Sequence, residues 1–135
     1  MAEFVFKHLA ENAGCGDSFE VSSAAVSYEE EGKPMYPPAK RKLREKGIPF
    51  GEHHAHRITL KEYRDSDLVI IMDDSNRRLL ERITGEPDAS KVHMLMEFAG
   101  ESHSVADPWY TSDFETAYLD ILKGCTALLA MLLAE

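Results

Sequence analysis

Leu68-Val69-Ile70-Ile71-Met72-Asp73-Asp74-Ser75-Asn76 is the stretch that decides the architecture. Five apolar residues run without alternation, and three of them are β-branched. A run that short and that uniformly apolar reads as a strand buried on both faces, the pattern of a parallel sheet between helices. Asp73 follows at once and suits a helix N-cap, because its carboxylate can accept from the first free N–H groups. The helix it opens spans Ser75 to Ile83 and stops at Gly85 and Pro87. A strand that feeds directly into a helix belongs in an α/β layer fold.

The flanking segments repeat the alternation. Downstream, Val92 to Phe98 reads as the next strand and Gly100 to Tyr110 as a long loop. Ser112-x-x-Glu115 then reads as the cap of a final helix whose apolar positions run from Phe114 to Leu133. Upstream, Thr59-x-x-Glu62 is a capping box for a short helix to Asp65, and Pro37-Pro38 opens a helix that Gly47 ends. Ala25 to Tyr36 is a Glu-rich loop, and Phe19 to Ala24 a short strand. Residues 1–13 form a helix with Ala2, Phe6, Leu9 and Ala13 on one face, stopped by Gly14 and Gly16. The order begins with a helix. In doubly wound folds the first strand sits near the sheet centre and the loop after it holds the ligand. This sequence shows no such strand and loop.

One domain accommodates the 135 residues, with 44% hydrophobic and 29% charged content. The formal net charge is −9, from 15 basic and 24 acidic residues, which argues against nucleic acid as a partner. Lys40-Arg41-Lys42 and Arg44 form a local exception that reads as the solvated face of a short helix. No apolar run reads as a membrane span, and the start carries an early acid rather than a signal-peptide pattern. Cys15 and Cys125 lie far apart and form no C-x-x-C pair, which leaves a reduced cytoplasmic setting as the expectation. His53, His54 and His56 invite a metal hypothesis. They lack a second cluster with ligand spacing, so no metal and no cofactor is expected.

Five collinear motifs resemble the low-molecular-weight protein tyrosine phosphatases. Met1-Ala2-Glu3 is similar to the M-A-E that follows the C-x5-R-S-P signature of that family. Val21-Ser22-Ser23-Ala24-Ala25 stands where the family reads V-D-S-A-G, and Gly32-x-Pro34-x-x-Pro37 matches G-x-P-x-x-P. Met72-Asp73-x-x-Asn76 matches M-D-x-x-N, and Asp107-Pro108-Trp109-Tyr110 matches D-P-[YW]-Y. The stretch from Tyr36 to Leu43 is similar to members from Firmicutes-type bacteria. The resemblance implies a three-layer α/β fold with a parallel sheet, and hydrolysis of a phosphotyrosine protein or a small phosphomonoester.

That chemistry, on the resemblance, needs a cysteine thiolate that attacks phosphorus and a loop of N–H groups with an arginine that holds the oxygens. It also needs an acid that protonates the leaving phenolate. The acid would be Asp107. Pro108 biases Asp107 toward extended backbone, and Trp109 and Tyr110 would line the substrate entrance. Read alone, the tetrapeptide favours a solvated Asp-Pro turn, and the collinear motifs favour the acid. Ser23 looks like the serine that supports the phosphate loop, or else a small core residue on a strand.

The departures carry equal weight. Neither cysteine is followed by arginine at the sixth position, where Val21 and Met131 stand instead. The chain is therefore expected to lack the first strand, the nucleophile and the phosphate arginine, and to be inactive as it stands. Two origins are open: a phosphatase whose remaining residues lie upstream, or a non-catalytic pseudophosphatase that serves as a binding module. An arsenate reductase on the same fold would need further cysteines. Loss of a central strand predicts direct pairing of the strands near Val21 and Leu68–Met72, or self-association into a homo-oligomer through exposed edges.

Overall fold

The computed structural model describes residues 1–26, 32–108 and 112–134. Its helices are α1 (Ala2–Asn12), α2 (Pro37–Glu45), α3 (Leu60–Asp65), α4 (Asp74–Thr84) and α5 (Phe114–Ala134). Two strands, β1 (Val69–Ile71) and β2 (Val92–Met94), pair in parallel with Val69 opposite Val92 and Ile71 opposite Met94. A parallel pair joined through α4 is the α/β arrangement read from Leu68–Asn76.

Local chemistry explains the boundaries. The Asp73 carboxylate accepts from Asn76 N–H at 2.8 Å, and Asn76 Oδ1 takes the N–H groups of Met72 and Asp73 in return, so β1 turns straight into α4. Thr59 and Glu62 form the expected capping box at the head of α3. Pro37 and Pro38 occupy the first turn of α2, where their missing N–H groups cost nothing.

Several expectations change. The α1 face that packs inward is Val5, Phe6 and Ala10, whereas Ala13 lies past the helix end and is exposed. The strand expected over Val92–Phe98 lasts three residues. Leu95–Ala99 winds into a 3₁₀ turn, because Glu97 Oε1 accepts from Met94 N–H and Gly100 closes the turn at φ 74°. Val69 and Ile70 are half-buried, so β1 is covered less than its uniform apolar run predicts.

Phe19–Ala24 is not a strand. Phe19 is extended, but no ladder joins this segment to β1 among the described residues, so the expected direct pairing is not made. Ala25 instead exchanges hydrogen bonds with the segment before α3, donating to His56 O at 2.7 Å and accepting from Ile58 N–H at 2.8 Å.

The helix α5 is the spine of the core. Ala117, Tyr118, Ile121, Gly124, Cys125, Leu128 and Leu129 are buried on one side, against α1 and Leu95–Ala99. Its 21 residues are long and apolar enough to cross a membrane by length and composition, which the sequence reading did not expect. Here the apolar face is core, and Asp120 and Lys123 interrupt the helix midway. Gly124 permits close approach: a Cβ there would lie 2.5 Å from Leu95 Cγ.

Candidate active site

The loop that carries Asp107 is held from both sides. Val105 is buried, and its N–H donates to Met72 O at 3.0 Å, directly past the end of β1. The next N–H, of Ala106, donates to Asp120 Oδ2 on α5 at 3.0 Å. These two bonds fix the backbone immediately before Asp107, whose side chain is then exposed at the rim. On the far side, Ser112 N–H donates to Pro108 O at 2.7 Å and Ser112 takes φ 58°. Trp109 and Tyr110, the expected aromatic wall, lie outside the described residues. Asp120 was missed from sequence, because a carboxylate at mid-helix looks like any solvated acid.

The cap of α5 is also corrected. Asp113, not Ser112, accepts from Thr116 N–H at 3.0 Å and from Thr116 Oγ1 at 2.6 Å. Those bonds from Thr116 lower the Asp113 pKa. Ser112 in the left-handed region cannot serve, and Glu115 bonds elsewhere. Its two oxygens accept from Lys42 at 2.7 Å and Lys46 at 2.8 Å, clamping α2 to α5. Lys42 is therefore not part of a freely solvated face: its side chain is only 15% exposed and it also pairs with Glu45.

Ser23 sits in a second polar cluster, half-buried, and not in an apolar strand core. Its hydroxyl donates to Glu3 Oε1 at 2.7 Å, and His53 Nε2 lies 2.8 Å from Ser23 Oγ. One hydroxyl proton cannot serve both, so His53 Nε2 carries a proton and donates. Lys7 Nζ donates to the other Glu3 oxygen at 2.7 Å. Burial pushes the Glu3 pKa up, but the bonds from Lys7 and Ser23 outweigh it and hold the carboxyl below its ordinary value. A nucleophilic serine needs a base to take its proton, with a carboxylate on the far ring nitrogen. Here carboxylate and imidazole meet the same hydroxyl, so the cluster positions Ser23 and does not activate it. Asp107 is not among Ser23's partners. Glu3 and His53 were missed as site residues, and only folding brings positions 3, 23 and 53 together.

The remaining histidines go separate ways. His54 bonds to Glu52 at 3.0 Å and to the Gly32 carbonyl, which raises its pKa, while His56 bonds to Glu62 at 2.7 Å. Among the described residues no three His, Cys, Asp or Glu side chains are grouped to hold a metal. Cys125 is buried, and burial pushes its thiol up to about 12, the opposite of what a nucleophilic cysteine requires. Cys15 donates to Ala10 O at 3.4 Å within the helix-end turn.

A parallel β-α-β unit, a pinned loop that presents an exposed carboxylate and a polar cluster at α1 together define an α/β domain with a candidate acid site. The family model described as "Low molecular weight phosphotyrosine protein phosphatase" matches residues 1–135. The chain is 31% identical to the low molecular weight protein-tyrosine-phosphatase YfkJ of Bacillus subtilis (strain 168), over all of this chain and 88% of that protein. It is likewise 31% identical to the human low molecular weight phosphotyrosine protein phosphatase, over 96% of this chain and 84% of the relative. The crystal structure of YfkJ superposes with a TM-score of 0.92 at 30% identity, covering 98% of this chain and 85% of that one. The chain belongs to the low molecular weight phosphotyrosine protein phosphatase family.

Proposed function

We propose that the chain carries the acid half of a phosphomonoester hydrolase, with Asp107 as general acid and a phosphotyrosine protein or small phosphomonoester as substrate. The carrying observation is the double anchor at Val105 and Ala106, which holds the backbone one residue before an exposed carboxylate. In this reading Asp107 gives its proton to the leaving phenolate and then takes one from water. Trp109 and Tyr110 flank the leaving group, and Ser23, held by Glu3 and His53, supports the phosphate-binding loop. The setting is cytoplasmic.

The thiolate and the phosphate arginine are supplied by none of these 135 residues, since no C-x5-R occurs. The chain alone is therefore inactive, because an acid without a nucleophile leaves the phosphorus unattacked. With p-nitrophenyl phosphate the expected result is no turnover above buffer. Turnover that vanishes in Asp107→Ala would overturn the inactivity. In a chimera preceded by a strand and a C-x5-R-S-P loop of the family signature, activity is expected, and Asp107→Asn should lower kcat by about 10²–10⁴. Full kcat in that variant would remove Asp107 from the mechanism. A second reading, a non-catalytic binding module, draws support from the Glu3–Ser23–His53 cluster, whose groups satisfy one another without any further loop.

A further inference from the structure

A cleft of about 580 Å³ opens between α2 and the start of α5, and Pro108 forms part of its wall. Its aromatic floor is Tyr36 against Phe114, ring centroids 5.8 Å apart. Three charged side chains line it: Arg41, Lys42 and Glu45. Two of them are spent. Glu45 pairs with Lys42 at 2.6 Å, and Lys42 also pairs with Glu115 at 2.7 Å. Arg41 is exposed and makes no hydrogen bond or ion pair with the described residues, so it is the uncommitted charge in the cleft.

We infer that this cleft takes the acidic residues that flank the phosphotyrosine of a protein substrate, with Arg41 pairing a substrate carboxylate. The inference rests on the phosphatase reading for the location of the phosphotyrosine. Pro108 is covalently joined to Asp107, so a peptide whose phenolate lies at Asp107 passes along this wall within a few residues. A guanidinium fork matches a carboxylate in two parallel bonds, and the aromatic floor covers the peptide's stem. The location of the charge matters because the protein as a whole repels anions at a net charge of −9. An acidic peptide is therefore selected only where a local cation faces it.

The test uses the 135-residue chain and the fluorescence of its single tryptophan, Trp109, next to Pro108. Four peptides are titrated at low salt: tyrosine or phosphotyrosine, each flanked by glutamates or by glutamines. The Glu-flanked member of each pair should bind about tenfold more tightly, and the gap should close in roughly 0.5 M salt. Arg41→Gln should abolish the gap, while Arg41→Lys should retain part of it, since charge persists without the fork. Equal binding of the Glu and Gln peptides, a gap that survives Arg41→Gln, or no measurable binding by any peptide would each overturn the inference. The plain-tyrosine pair reads the cleft alone. The same titrations in the chimera that bears C-x5-R read the phosphatase site through the effect of adding phosphate, so failure of one is visible apart from failure of the other.

Discussion

Among the described residues, one cluster between α1, α2 and α5 buries thirteen, with Val5, Leu43, Leu95 and Met96 at 1% exposure or less. Around β1, α4 and β2 the matching cluster buries three, Ile71, Leu80 and Val92. Composition sets part of the difference, since α5 is largely apolar and α4 carries mostly polar and charged residues. Neighbours set the rest. The helix α5 is covered by α1, by α2 and by Leu95–Ala99, whereas β1 has one hydrogen-bonded strand beside it among the described residues. A strand with one neighbour leaves side chains such as Val69 and Ile70 half in water, however apolar they are. The helical side carries most of the buried core, and the thinner sheet side is expected to open first.

The sharpest way to break that comparison is to hollow out each side in turn. Leu95 and Leu80 are both 1% exposed. Leu95→Ala should cost about 4 kcal/mol, near the top of the usual range, because its rigid surroundings cannot collapse into the space. Leu80→Ala should cost about 2–3 kcal/mol, since the thinner side relaxes or admits water. Urea denaturation of both variants decides it, and equal losses would mean that the two sides are equally packed.

Overfilling the helical side comes next. Gly124→Ala places a methyl 2.5 Å from Leu95 Cγ, inside a fully packed region. The overpacking cost of about 1–3 kcal/mol exceeds the gain of about 1 kcal/mol from alanine's better helix propensity. A lower thermal midpoint is expected. A stabilised variant would show that α5 and Leu95–Ala99 are more loosely joined than their spacing indicates.

The smallest effect tests the polar cluster at the edge of the helical side. The Glu3 pKa is depressed in the folded chain, so its carboxylate contributes stability above the unfolded value that is lost as pH falls through the folded one. Glu3→Gln should cost about 1–2 kcal/mol near pH 7, and the gap from the parent chain should narrow toward pH 3. A gap that stays constant with pH would assign the loss to packing rather than charge.

Much of the fold was legible from single segments. The run Leu68–Met72 followed by Asp73, the box at Thr59 and Glu62, and Pro37–Pro38 each encode their structure within a few residues, and local hydrogen bonds confirm them. Phe19–Ala24 was misread because a strand exists only where a partner lies beside it, and no local pattern reports the partner. Val92–Phe98 was cut short by Glu97, a side chain that offered the Met94 N–H an alternative to the ladder. The site divides the same way. The expectation for Asp107 came from its neighbours in sequence. Asp120, Glu3 and His53 act across 14 to 30 residues of chain, and their partners could be found only in three dimensions.

The contact between Gly124 and Leu95 also bears on how such a chain can change over generations. Leu95 already occupies the volume that any side chain at 124 would need. A larger residue at 124 is tolerable only after residue 95 shrinks, and a smaller residue at 95 leaves a hole until 124 grows. Each step taken alone is unfavourable in either order, so the two positions drift together or stand still.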